Sequence, residues 1–518
     1  MQFERIRKNH KRKIIIGGLI LVCVISAITI TTTRAKYKIT QDIPLAKGTV
    51  NYNPDKTKPV VSNIVSSVTE TEINVTVSAS DNVGVTEYWY AIGTGAFQKG
   101  TGNTYKFTGL KASTSYTIKV YVKDGAGNQS DTTTKTIKTT DTTKPTISSV
   151  TTSVTKTEIN VTVTASDNVG VTEYWYQLDS NAAIKGTGNI HKFTGLTAGS
   201  THTVKVYVKD AAGNQSTTTT KSNITTTAPS GSETILGNIT VKPGTPTFSN
   251  AATTDEGVYK VSDGMYGGYS YYFRGAVTNN YVKFGGFCWR IVRINGDGSI
   301  RLIYDGSTCH ANGTSTAESI AKASVAYNTR YTQSNYVGWT YTGTSQRTLS
   351  GTASNAKTQL ESWYSSNLAS YAERIADGKY CNDRTVPNGV SWAINGISFS
   401  YAGYKRLYSD YVPTLSCSSG DVYTLRIGLI TADEIEFAGG KGVSNTSYYL
   451  YNGQNYNTMT PLNWDGTRAY VFFVNNTGAL GASSVNGAKV GLRPVINLKA
   501  DVTFSRGNGT QTNPYVVQ

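Results

Sequence analysis

Histidine is scarce in this chain. Its 518 residues hold four, His10, His191, His202 and His310. A Ser-His-Asp or Cys-His hydrolase needs a histidine beside its nucleophile. Beyond residue 235 only His310 could serve, and no nucleophile motif accompanies it. No His-x-x-x-His or Cys-x-x-Cys spacing and no Walker-type glycine loop occurs. Catalytic residues are therefore expected to be absent, and the chain reads as a non-enzyme. Asp433, Glu434 and Glu436 could supply a carboxylate pair for glycoside hydrolysis, but helix capping and a solvated helix face account for them with less.

Cysteine is nearly as rare. Cys23 lies in an apolar run; Cys288, Cys309, Cys381 and Cys417 lie in the C-terminal half. An even set in an exported domain suits two disulfides, in any of three pairings. Four free thiols fit the sequence equally well. Basic runs are missing outside the N-terminus. Of the net charge of +16, residues 1–54 carry +8. The remainder is spread thinly, which excludes a nucleic-acid footprint.

Long apolar runs are absent with one exception, residues 14–30, preceded by Arg5, Arg7, Lys8, Lys11, Arg12 and Lys13. At ~1.5 Å per residue such a run reaches about 26 Å, slightly short of a hydrocarbon core of ~30 Å. The expectation is a basic cytoplasmic tail (1–13), a signal-anchor or signal-peptide helix (14–31), a linker (32–54) and an exported remainder. Residues 32–35 offer a poor cleavage pattern because Arg34 intrudes, and residues 513–518 carry no sorting signal.

What is present is repetition. Residues 55–140 recur as 141–226 without insertion, roughly two-thirds identical. Asp81-Asn82-Val83-Gly84-Val85-Thr86-Glu87-Tyr88-Trp89-Tyr90 returns 86 residues later, beginning at Asp167. A period of that size is a whole domain, and tandem copies supply length, so the pair reads as a stalk. Ile73-Asn74-Val75-Thr76-Val77-Ser78-Ala79 alternates with period two, as does Tyr116-Thr117-Ile118-Lys119-Val120-Tyr121-Val122, which turns Tyr116, Ile118, Val120 and Val122 inward. Asp81-Asn82 and Asp124-Gly125-Ala126-Gly127-Asn128 are turn clusters. They could approach closely enough to hold Ca²⁺ between modules; tight turns explain them more simply.

The run from Gly109 through Tyr116 to Asp124 and Ala126-Gly127-Asn128-Gln129-Ser130 resembles the second half of bacterial fibronectin type III and related Ig-like modules. The resemblance implies a β-sandwich pinned by a tyrosine corner at Tyr116. The second copy has His202 there and loses that hydroxyl. Trp89 and Trp175 also sit one strand later than the family's tryptophan.

After a linker (227–250), residues 251–518 form a different domain, which with its flanking linker holds 25 of the 35 tyrosines and five of the seven tryptophans. Trp289–Ile294 and Ser299–Tyr304, joined through Asn295-Gly296-Asp297-Gly298, predict a hairpin. Leu360, Trp363, Leu368, Tyr371 and Ile375 predict a helix over 356–376. Thr431 and Glu434 form a capping box opening a short helix that stops at Gly439-Gly440. Strands are expected over 469–474 and 490–498, giving an α+β domain in a mainly β, multidomain protein.

Trp289-Arg290-Ile291-Val292-Arg293-Ile294, Cys381-Asn382-Asp383-Arg384, Gly428-Leu429-Ile430-Thr431-Ala432-Asp433-Glu434, Gly491-Leu492-Arg493-Pro494-Val495-Ile496-Asn497-Leu498 and the ending Gly507–Val517 together resemble an uncharacterised C-terminal module of Gram-positive surface proteins. Their order is also similar to the C-type-lectin-like fold of the sulfatase-modifying-factor type. The cysteine pair that such enzymes need near the domain's end is missing here.

Tyr, Trp, Ser, Asn and Gly make adaptable contact surfaces. The densest tract offers Tyr448, Tyr449, Tyr451 and Tyr456, followed by Trp464, as candidate ligand-binding residues. Trp289 and Arg493 read as structural. The chain is thus expected to be a membrane-tethered surface protein with a spacer stalk and a distal adhesin-like head for a glycan or protein. The alternative is a structural envelope protein that binds wall polymer or a partner subunit.

Overall fold

The computed structural model describes residues 53–518. The basic tail, the apolar segment 14–31 and nearly all of the linker 32–54 lie outside the described residues. Among the described residues no helix is long and apolar enough to cross a membrane. The described residues divide into two compact units, 53–142 and 143–518.

The first unit is a β-sandwich. Strands β1 (Val60–Val68), β2 (Ile73–Ser80) and β5 (Thr104–Phe107) form one sheet. Strands β4 (Gln98–Lys99), β3 (Val85–Ile92), β6 (Ser115–Asp124) and β7 (Thr133–Lys138) form the other. Period-two alternation gives each strand one apolar face. Ile73, Val75, Val77, Ile118 and Val120 are accordingly buried between the sheets. Tyr90 fills the centre and donates from Oη to Gly102 O at 2.9 Å. The corner is present: Tyr116 Oη accepts from Lys111 N at 2.8 Å.

The second unit begins with the second copy. Strands β8 (Thr146–Val154), β9 (Ile159–Ser166) and β12 (Ile190–Phe193) form one sheet; β11 (Ile184–Lys185), β10 (Val171–Leu178), β13 (Thr201–Asp210) and β14 (Thr219–Thr225) form the other. A capping box closes α1 (Gly231–Gly237), where Ser230 and Glu233 satisfy each other's backbone. Glu233 also binds Lys156 at 2.6 Å, tying this sandwich to the domain that follows. That contact, with Ser230's backbone N–H, holds the Glu233 carboxyl down at about 2.

The C-terminal domain is organised on a nine-stranded sheet. Strands β15 (Val241–Lys242), β16 (Asp255–Ser262), β17 (Tyr269–Gly275), β18 (Tyr281–Phe284), β19 (Phe287–Ile294) and β20 (Ile300–Gly306) belong to it, as do Val495–Leu498, Phe504–Arg506 and Tyr515–Val517. The hairpin β19–β20 turns where its Asn-Gly and Asp-Gly chemistry places it. Gly296 admits no side chain, because a Cβ there would lie 1.8 Å from Gly267 O. The helix α2 (Asn355–Asn367) is shorter than its periodicity predicts. It gives way to a 3₁₀ turn over Ala369–Arg374, which leaves Tyr371 exposed. Then come α3 (Ala402–Lys405), continued by a π-helical turn over Arg406–Asp410, and the capped α4 (Ala432–Phe437). The strand expected over 490–498 is confined to Val495–Leu498.

The core of this domain is built on charge. Arg274, Arg290, Arg293, Arg301, Arg384 and Arg493 are all at most 1% exposed. Each finds acceptors. Glu434 Oε1 meets Arg301 Nε at 2.5 Å and Arg293 Nε at 3.1 Å. Asp263 takes Arg293 Nη1 at 2.8 Å, and Asp421 takes Arg384 Nε at 2.9 Å. Arg406 bridges Asp433 at 2.8 Å and Asp383 at 3.0 Å. The solvated face expected for α4 is therefore corrected. Asp433, Glu434 and Glu436 are at most 5% exposed, because each serves an interior cation. Burial raises the Glu434 carboxyl, but Arg301 and then Arg293 outweigh it and hold it below its ordinary value. Glu436 goes the other way. Burial pushes it up to about 7 despite Lys441, whose Nζ lies 2.8 Å away, and Asp433 adds to the rise.

A carboxyl whose folded pKa is raised contributes most below the unfolded value, and that contribution is lost as pH rises towards the folded one. Relative to Glu436→Gln, the wild-type chain should lose about 1–3 kcal/mol between pH 4.5 and 7. Urea midpoints of the two proteins across that window measure the difference; parallel curves would show that Glu436 does not titrate there.

Candidate functional site

The aromatic tract does not form a surface. Tyr448, Tyr449, Tyr456 and Trp464 are at most 1% exposed, and Tyr451 is half-buried against the core. The physical reason lies in the buried arginines. The Arg290 guanidinium sits 5.3 Å from the Tyr449 ring centre, and Arg493 the same distance from Tyr456. Rings over guanidinium planes compensate desolvated cations, so this tract lines the core. Trp289 and Arg493 are structural, fully buried; Arg493 donates to Tyr304 O and Leu450 O, each at 2.7 Å.

The four C-terminal cysteines form two disulfides, Cys288–Cys309 and Cys381–Cys417. The second positions a site that no sequence motif announces. A cleft of about 460 Å³ opens between the sheet and the chain around Val412, within the ~300–1,000 Å³ usual for ligand sites. Phe248, Tyr272 and Phe437 make its floor, with Leu415 behind. Tyr272 and Phe437 lie 4.6 Å apart between ring centres, and Phe248 stands edge-on to Phe437 at 5.4 Å. Burial holds the Tyr272 phenol well above its ordinary value, so it stays neutral.

Tyr269 and Lys260 form one rim. Tyr269 is 56% exposed, and Lys260 Nζ lies 5.0 Å from its ring centre. They are diagonal neighbours across β16 and β17. Val412 and Pro413 form the opposite rim, on the segment that ends at Cys417. Tyr411 just before them holds a left-handed backbone (φ +55°), and its ring covers Lys441 Nζ at 4.1 Å. That lysine is paired with the buried Glu436. The cleft therefore offers one exposed ring, one cation, the hydroxyls of Thr245 and Ser262 and an apolar floor. A ring-shaped ligand bearing hydroxyls matches that lining. Only Tyr269 and Tyr272 of β17 hint at the site in sequence; the Val412 wall is distant in sequence.

Further constellations occur in the repeats. Asp55, Asp81 and Asp124 of the first unit bring carboxylate oxygens within 4.8 Å of one another. Asp124 is occupied by Ala126 N, Asn128 N and the Asn128 amide. Asp55 Oδ2 and Asp81 Oδ1 accept no hydrogen bond, so these three residues could hold one divalent cation. In the second copy His202 replaces the corner tyrosine. Its Nδ1 lies 2.8 Å from Asp179 Oδ2 and its Nε2 2.6 Å from Ser200 Oγ. The connectivity resembles a hydrolase triad, yet Ser200 Oγ donates to Thr197 O at 2.5 Å and Ser200 N to Thr226 Oγ1 at 3.0 Å. Neither the hydroxyl proton nor that backbone donor is left for a substrate, and the trio works as a rebuilt corner. His191 likewise stacks on Tyr176 at 4.8 Å as packing.

No family model matches the chain. Chitinase A1 of Niallia circulans is 36% identical over 203 residues, covering 37% of this chain and 29% of that protein. Exoglucanase B of Cellulomonas fimi is 36% identical over 201 residues, covering 34% and 18%. The chain thus spans under a third of the length of either relative. Similar solved structures include chitinase ChiA74 from Bacillus thuringiensis (23% identity, TM-score 0.16, 33% of this chain and 30% of that one). They also include a two-domain fibronectin type III segment of chicken tenascin (18%, TM-score 0.20, 31% and 95%).

The geometry makes the Cys381–Cys417 bridge the support of the Val412 wall. In a Cys381→Ser/Cys417→Ser chain, hydrogen exchange over residues 411–417 should rise at least about tenfold while β17 and β19 stay protected. Unchanged exchange there would show that core packing alone holds the wall.

Proposed function

We propose that this is an exported carbohydrate-binding protein, held at the cell surface by its N-terminal segment, with the aromatic cleft of residues 244–437 as its glycan site. The observation that carries this reading is the cleft itself. Tyr269 offers an exposed ring face for a pyranose to stack on, above an aromatic floor, with Lys260, Ser262 and Thr245 placed for hydroxyls. The relatives' names, chitinase and exoglucanase, support polysaccharide as the substrate class. In this reading the C-terminal domain is a lectin-like head, and the protein attaches rather than cleaves. An adhesin-like role follows if the glycan belongs to another cell, and an envelope role if it belongs to the cell's own wall.

Retention of the full chain on insoluble chitin, cellulose and isolated cell wall tests the proposal. Wild type should be retained on at least one of them. Tyr269→Ala, which removes an exposed side chain, should weaken binding about tenfold or more, a loss of ~1.4 kcal/mol. Equal retention of wild type and variant would remove the cleft from the account.

A further inference from the structure

We infer that the two sandwiches are not inert spacers: the outer face of each four-stranded sheet carries an aromatic platform for a polysaccharide chain. The inference rests on the carbohydrate reading above, but on different residues. On β3 the inward positions are Tyr88 and Tyr90, and on β6 they are Val120 and Val122. The intervening outward positions call for polar side chains. They hold instead Trp89 and Tyr121, which are direct cross-strand partners. Their rings lie 5.7 Å apart between centres and only 12° from parallel, and both are half-buried.

The setting of the rings is specific. Trp89 Nε1 donates to Glu87 Oε2 at 2.9 Å, Lys99 pairs with Glu87, and Lys123 Nζ stands 5.7 Å from the Trp89 ring centre. The second copy rebuilds this unit. Trp175 and Tyr207 lie 5.7 Å apart at 8°, Trp175 Nε1 donates to Glu173 at 2.9 Å, Lys185 pairs with Glu173 at 2.6 Å, and Lys209 sits 5.5 Å from the Trp175 ring centre.

The copies have diverged at about a third of their positions, including sites that bear on packing. Tyr105, stacked on the core Tyr90, has become His191; the corner Tyr116 has become His202; Phe97, edge-on to Tyr121 at 4.6 Å, has become Ala183. Glu87, Trp89, Lys99, Tyr121 and Lys123 have not changed. The corner and several packing positions have exchanged, while this outward five-residue unit is kept along with the inner core. Each stacked pair offers one apolar aromatic surface for a sugar ring to pack against, and the flanking ammonium and carboxylate groups match its hydroxyls. The Glu–Lys pairing leaves each platform with a small net positive charge, so a neutral polymer fits it without charge steering. Linked weak sites on one chain raise retention on a repeating polymer far more than on a short oligosaccharide.

The test uses the full chain in two assays: retention on insoluble chitin or cellulose, and affinity for a short soluble oligosaccharide of the same sugar. Trp89→Ala/Trp175→Ala should lower retention about fivefold or more and leave oligosaccharide affinity unchanged. Tyr121→Thr/Tyr207→Thr, which keeps a strand-forming residue, should do the same, and thermal melts identify any variant that has lost its fold. Unchanged retention in both pairs overturns the platforms while the cleft stands. Retention that survives Tyr269→Ala but disappears with either pair supports the platforms and removes the cleft. Retention on a matrix protein and on neither polymer overturns both.

Discussion

The C-terminal domain depends on Glu434 standing between Arg293 and Arg301. A carboxylate that interior carries a large desolvation cost, offset here by two guanidinium groups and by the N-terminal turn of α4 that the same residue caps. Removing it would strand two buried cations, a loss in the range of 3–5 kcal/mol. The arrangement also fixes geometry, because planar guanidinium forks accept few orientations. Through Arg293 it reaches Asp263 and the end of β16; through Thr431 it sets the start of α4, whose last residue, Phe437, is the floor of the cleft. The cleft proposed as the glycan site is a surface consequence of an interior charge network.

The same network explains which parts of the domain were legible in the sequence. The hairpin over Trp289–Tyr304 could be read because its turn chemistry is local. The capping box at Thr431 and Glu434 could be read for the same reason. Their burial could not. A run such as Ala432-Asp433-Glu434-Ile435-Glu436 reads as a solvated face unless its arginines are known, and those lie up to about 140 residues away. The tyrosine tract misled for a related reason. Aromatic rings beside Asn and Gly suggest a contact surface, but here their faces are used by Arg290 and Arg493. The cleft left little trace because its walls come from β16, β17, α4 and a loop held by Cys381–Cys417, whose pairing the spacing left open.

The sandwiches were more legible because period-two burial is a local property. Their strands and turn clusters follow from alternation and from Asp and Gly placement; the corner at Tyr116 followed from the resemblance to fibronectin type III modules. The difference between copies was less so. Loss of the Tyr116 hydroxyl at His202 reads as a lost pin, yet Asp179 and Ser200 supply another from positions where the first copy has Gly93 and Thr114. A triad-like connectivity has arisen from repair of a corner. The outward Trp–Tyr pairs show the complementary case: they have stayed fixed while the corner tyrosine changed.

The most direct measurement is hydrogen exchange of the full chain with and without a saturating soluble oligosaccharide drawn from the polymer that retains it. The account predicts added protection over residues 244–272 and 411–437, where the cleft's walls lie, and none over residues 447–464. Protection at the tyrosine tract, or nowhere in the C-terminal domain, would contradict it.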